Sequence, residues 1–147
     1  MRHVWVLTLV LMLAAACSDQ SEADKAGDPL PNAKAGLEAL YKGDLNGLNR
    51  YFCQEIILSL RAQIADEAAE KGGKVDLSQA SFEVSGKLRE DYLYVRMTGE
   101  YAIWLGDLVD VYDTTASGPI LLLMEARDGV WQICDIQTET TSTPEGN

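Results

Sequence analysis

Apolar positions recur at helical spacing through the first half of the chain and at every second residue through the rest. "PNAKAGLEALYKGD" predicts a helix capped at Asn32, with Leu37, Leu40 and Tyr41 on one face and a stop at Gly43. Asp44 caps a second turn, "LNGLNRYF", in which Leu45, Leu48 and Phe52 share a side. "QEIILSLRAQIADEAAEKGG" predicts a third helix with a stripe of Ile57, Leu60, Ile64 and Ala68, ended by Gly72-Gly73.

From Ser81 the period becomes two. "SFEVSGKL" predicts a strand, with a turn from Arg89 to Asp91. "YLYVRMTGEYAIW" alternates, with Leu93, Val95, Met97, Tyr101 and Ile103 on one face and Tyr94, Arg96, Thr98 and Glu100 on the other. "GPILLLMEARDGVWQICDIQ" predicts a hairpin about an Asp128-Gly129 turn, its last strand carrying Trp131 and Ile133. Helices first and an antiparallel meander after define an α+β class: N-terminal helices on a curved antiparallel sheet, cone-like. Gly99 is where the long strand is expected to bend, because a missing side chain permits a bulge or kink.

Composition narrows the partners. The chain has 147 residues and a formal net charge of -11, so neither nucleic acid nor anionic headgroups suit its folded surface. Its one histidine is His3, inside the leading segment. Once that segment is removed, histidine-based triads, histidine metal sites and imidazole switches are excluded together. No metal and no cofactor is expected.

The leading segment has a short, weakly positive start, an apolar core from Val4 to Leu13, and Ala14, Ala15 and Ala16 before Cys17. That core is too short to span a bilayer. "LAAAC" resembles the lipobox of bacterial lipoproteins, in which small residues precede the cysteine that is acylated. The resemblance implies cleavage after residue 16 and a lipid on Cys17, holding the domain outside the cytoplasm at the cell membrane or outer membrane. Ser18, in place of an aspartate, leans toward the outer membrane. The same three alanines suit ordinary secretion, which would leave a free N-terminal cysteine. Residues 17–32 then form a lipidated cysteine and disordered linker with a reach of about 20 Å. Residues 33–138 form the domain, and residues 139–147 a second disordered tail.

"GLEALYKGDLNGLNRYF" and "ARDGVWQICDI" are similar to the opening helices and closing hairpin of nuclear transport factor 2-like domains. The resemblance spans most of residues 33–137. It implies a curved sheet wrapped round helices with a pocket at the mouth of the cone. It also implies a choice of roles, since members include isomerases, dehydratases and binding modules.

Cys53 and Cys134 remain once Cys17 is assigned to lipid. They predict a disulfide in an oxidising compartment, with two buried free thiols as the alternative. Cys134 alternates with Ile133 and should point away from the core, so a bulge or a helix reaching round the sheet edge is required. "GDLVDVYD" spaces Asp107, Asp110 and Asp113 three apart with Tyr112 between them. Asp110, Tyr112 and Asp113 resemble the carboxylate–phenol chemistry of ketosteroid isomerase-like enzymes, but a solvated acidic connection between strands is the favoured reading. Tyr41, Tyr51, Tyr92, Tyr94, Tyr101, Trp104 and Tyr112 are the aromatic residues available to line a pocket. The leading expectation is a lipid-anchored binding or accessory domain without catalytic activity, taking a small apolar ligand or a protein. A small isomerase-like enzyme and a homodimerising interaction module are the alternatives.

Overall fold

The computed structural model describes residues 20–139; Cys17 and the rest of the leading segment lie outside them, as do residues 140–147. The described residues form six helices, a π-helical turn and a six-stranded antiparallel sheet. The helices are α1 (Glu22–Ala26), α2 (Pro29–Lys42), α3 (Leu45–Tyr51), α4 (Gln54–Leu60), α5 (Asp66–Lys71) and the short α6 (Thr114–Ser117). A π turn at Arg61–Ala65 joins α4 to α5. The strands are β1 (Lys74–Asp76), β2 (Ala80–Arg89), β3 (Tyr92–Leu105), β4 (Leu108–Asp113), β5 (Ile120–Arg127) and β6 (Val130–Thr138).

β3 organises the sheet. Its first half pairs with β2 and β5, its second half with β1 and β4, and the exchange falls at Gly99 and Glu100. Gly99 has φ 103°, and its N–H donates to Thr114 Oγ1 at 2.8 Å. Register shifts in β2 and between Leu123 and Met124 add further curvature, since an extra residue on one strand bends it. Leu93, Val95 and Met97 are buried with Tyr101 and Ile103, as their shared parity predicts. Trp131 joins Leu37, Leu40, Phe52, Leu122, Met124 and Ile133 in the same core.

Three elements differ from expectation. The stretch read as a disordered linker is ordered from Ser21 onward: Ser21 caps α1, and Asp28 caps α2 with Pro29 at its first turn. Asn32 therefore sits inside α2 and caps nothing. Five residues of helix are unstable alone. Here α1 is held by Trp131 Nε1 donating to the Gly27 carbonyl at 2.8 Å, and by the Gly129 N–H donating to Glu22 Oε2 at 3.1 Å. The tail begins later than expected too. Glu139 pairs with Arg96 at 2.9 Å and its N–H donates to the Pro119 carbonyl, so the ordered domain runs through it. Finally, Leu108–Asp113 is a strand rather than a loop, paired with β3 through all six residues.

The helix expected from Gln54 to Lys71 runs without a break in sequence but contains the π turn. One extra residue in that turn rotates the stripe, so that Ala65 and Ala68 are fully buried while Ile64 is only half-buried. Among the described residues no helix is long and apolar enough to cross a membrane.

Candidate functional site

The π turn roofs two adjoining hollows that share Tyr41, Gln63 and Ile64. The larger, about 400 Å³, lies between α4 and the end of β6, with Leu40, Ile56, Leu60 and Ile136 as its apolar walls. The smaller, about 240 Å³, lies between α5 and the second half of β3. Ile103 and Leu105 form its floor, Asp110 and Tyr112 its β4 side, and Glu67 its helix side. π turns widen a helix and recur at functional sites. Here the widened turn turns Ile64 toward both hollows instead of packing it flat on the sheet.

Strand parity explains why Asp110 and Tyr112 reach the smaller hollow. Asp110 pairs with Ile103 and Tyr112 with Tyr101, so their side chains share the helix-facing side. The Tyr101 and Tyr112 rings stack with centroids 5.0 Å apart and planes 13° apart. Tyr101 is only 8% exposed. Burial raises the Tyr41 and Tyr101 hydroxyls above the ordinary phenol range, and the neighbouring tyrosines add to the effect. Both phenols are therefore neutral throughout the physiological range. Neither hydroxyl makes a hydrogen bond to another described residue.

Of the three residues read as a catalytic alternative, two converge and one does not. Asp113 follows Tyr112 and points away; its carboxylate accepts from the Thr115 N–H at 2.8 Å and caps α6. Of the aromatic residues considered, Tyr41, Tyr101 and Tyr112 line the hollows, whereas Tyr51, Tyr92, Tyr94 and Trp104 do not. Sequence reasoning missed Gln63, Ile64 and Glu67. A regular helix would have offered Ile64 to the core, and no residue pattern announces a π turn.

Cys53 and Cys134 are joined in a disulfide with Cα atoms 4.8 Å apart. The bulge that the alternation demanded is present, because Met124 pairs with Ile133 while Leu123 pairs with Asp135. Cys134 is the extra residue between them. Phe52 bridges to Ile133, and the Cys53 N–H donates to the Ile133 carbonyl at 2.9 Å, which brings the first cysteine beside the second. Glu125 lies alongside, 3.6 Å from Cys134 Sγ. It accepts from the Tyr92 hydroxyl at 2.6 Å and pairs with Arg127. The two sulfurs and the carboxylate lie within 4.8 Å of one another, but sulfurs bonded to each other are not thiolate ligands.

The arrangement defines a class of protein by shape: helices covering one face of a bent antiparallel sheet, with a partly open hollow beneath the longest helical segment. No protein-family model and no curated protein matches the sequence. Two of the solved structures it resembles share the fold. The intermembrane space region of the chloroplast protein ARC6 superposes with a TM-score of 0.51 at 15% identity, over 74% of this chain and 91% of that one. The transfer protein TraH from the Gram-positive conjugative plasmid pIP501 superposes with a TM-score of 0.50 at 7% identity, over 80% of this chain and 99% of that one. An NTF-2-like protein of unknown function from Shewanella oneidensis MR-1 gives a TM-score of 0.43 at 18% identity, over 72% of this chain and 91% of that one.

Proposed function

We propose that this is a binding or accessory domain of the bacterial cell envelope, of nuclear transport factor 2-like fold, held to a membrane by lipid on Cys17 and without catalytic activity. The observation that carries the reading is the pair of adjoining hollows under the π turn. Together they offer apolar walls with a few polar groups at the rim, the composition of a small-molecule site. The disulfide suits a domain outside the cytoplasm. On the lipobox reading, residues 18–20 are the chain that separates Cys17 from Ser21, the cap of α1. On this reading the domain sits close against the membrane rather than swinging on a long tether.

A second reading, an isomerase-like enzyme, draws on Asp110 and the tyrosines meeting at the smaller hollow. Proton transfer at neutral pH favours a carboxylate withdrawn from water. Asp110 is exposed on an edge strand, which favours binding over catalysis.

Two experiments test the proposal. Ser59 lies on the exposed side of α4 at the edge of the larger hollow. Ser59→Trp should fill the hollow while leaving thermal stability within about 0.5 kcal/mol of the wild type. Nile red, a neutral apolar dye, should bind the wild type with blue-shifted emission and bind the variant at least about tenfold more weakly. Equal binding by both proteins contradicts the site. Cys17→Ser should move the protein from the membrane fraction to the soluble fraction or leave it unprocessed. A Cys17→Ser protein that still carries lipid contradicts the anchor.

A further inference from the structure

We propose that the smaller hollow selects organic cations: ammonium groups carrying apolar substituents, held between the tyrosines and the carboxylate of Asp110. This rests on the binding reading above and names the chemical class of ligand for one half of the site.

Four observations converge on that class. The walls are aromatic, with Tyr41 and the stacked pair Tyr101 and Tyr112 lining a space of about 240 Å³. The electron-rich face of a phenol ring attracts ammonium groups, and does so more strongly when water is partly excluded. The floor of Ile103 and Leu105, with Ile64 above, suits methyl or methylene substituents rather than a hydrated metal ion. The formal charge of the lining is negative: Asp110 and Glu67 face the hollow, and no lysine or arginine does.

Those two carboxylates differ. Glu67 is already paired with Lys71 at 2.6 Å, whereas Asp110 has no ion pair among the described residues. Asp110 is thus the group left to balance an incoming charge. The Tyr101 hydroxyl supplies the last observation. The residue is buried as a whole and lines the hollow, and its hydroxyl, open to water there, has no hydrogen-bond partner among the described residues. That hydroxyl is therefore free to exchange water for the polar end of a ligand. An anion fits poorly, since it would meet two carboxylates and a chain of net charge -11.

The test compares choline with 3,3-dimethyl-1-butanol, a neutral molecule of nearly the same shape. Each is titrated into the full chain in detergent, with binding followed by calorimetry and by methyl chemical shifts of Ile103 and Leu105. Choline should shift those methyl signals and bind at least about tenfold more tightly than the alcohol. Asp110→Asn should weaken choline about fivefold and leave the alcohol unchanged. Tyr112 is 39% exposed, so Tyr112→Leu should keep the fold and weaken choline as well. Equal affinities for choline and the alcohol overturn selection for charge while leaving an apolar-binding hollow in place. If neither molecule moves the Ile103 and Leu105 signals, the cation site is overturned. The Nile red comparison at Ser59 then judges the broader binding reading separately.

Discussion

Replacing both Cys53 and Cys134 with alanine should cost the domain about 4–5 kcal/mol, the largest loss expected from any change here. The bridge closes a loop across a sequence separation of 81 residues, so opening it frees most of the unfolded chain from its constraint. A domain of this size is stable by only about 5–15 kcal/mol. The double variant should therefore melt roughly 20 °C lower, or fail to fold at 37 °C. Thermal unfolding of the wild type with and without reductant gives the same comparison without substitution. A loss below about 1 kcal/mol in both experiments contradicts the structural role of the bridge. The local geometry shows why the effect reaches beyond the two sulfurs. Cys53 sits at the start of α4, and Cys134 occupies the bulge of β6. The bridge thus ties the roof of the larger hollow to its floor.

Gly99→Val should cost about 3–5 kcal/mol, combining backbone strain with overpacking. At φ 103° a β-branched residue is strongly disfavoured. Any Cβ there would also lie 2.3 Å from the Gln79 carbonyl oxygen, a backbone atom that cannot swing aside. The substitution strikes the point where β3 exchanges β2 and β5 for β1 and β4, so the second half of the sheet should loosen first. Hydrogen exchange in β4 should rise more than in β6. Gly86 provides the control. It lies at a bulge with open space around it and without a positive φ, so Gly86→Val should change stability by no more than about 0.5 kcal/mol. Equal effects at the two glycines contradict the proposed bend.

Legibility followed the strength of the local pattern. α2 and α3 are bounded by Gly43 and Asp44, whose backbone and side-chain roles the sequence states directly. β3 buries five alternate residues, Leu93, Val95 and Met97 before Gly99 and Tyr101 and Ile103 after it, enough to fix which face meets the helices. The bulge at Cys134 followed from a conflict: two cysteines suited to bonding, with one on the wrong parity. α1 was hidden by composition. Its polar residues read as a tether, yet Ser21 and the Asp28-Pro29 pair are capping signals, and the docking partner, Trp131, is more than a hundred residues away. β4 was hidden by its acidity. As an exposed edge strand it needs no apolar face, although Leu108, Asp110 and Tyr112 do alternate with Val109, Val111 and Asp113.

The candidate site was legible only in fragments for a similar reason. Asp110 and Tyr112 stood out as a pair, and Asp113 looked equivalent until parity sent it to α6. Tyr41 and Tyr101 belong to elements sixty residues apart, which only the folded sheet brings together. Packing next to the π turn is tight: Gly43 lies against the backbone of Ala65 and Ala69, where any Cβ would fall within 2.6 Å of the Ala65 carbonyl oxygen. That close approach lets α5 seat closely on α2 just after the π turn at Arg61–Ala65, a long-range packing relation that no local pattern announces.

Ligand entry beneath the π turn can be observed by isotope-filtered nuclear Overhauser measurements on the full chain with bound Nile red. Contacts are expected from the dye to Tyr41, Ile64 and Ile136, which line the larger hollow. Contacts confined to Leu108, Val109 and Val111, the exposed apolar side chains of β4, would contradict it.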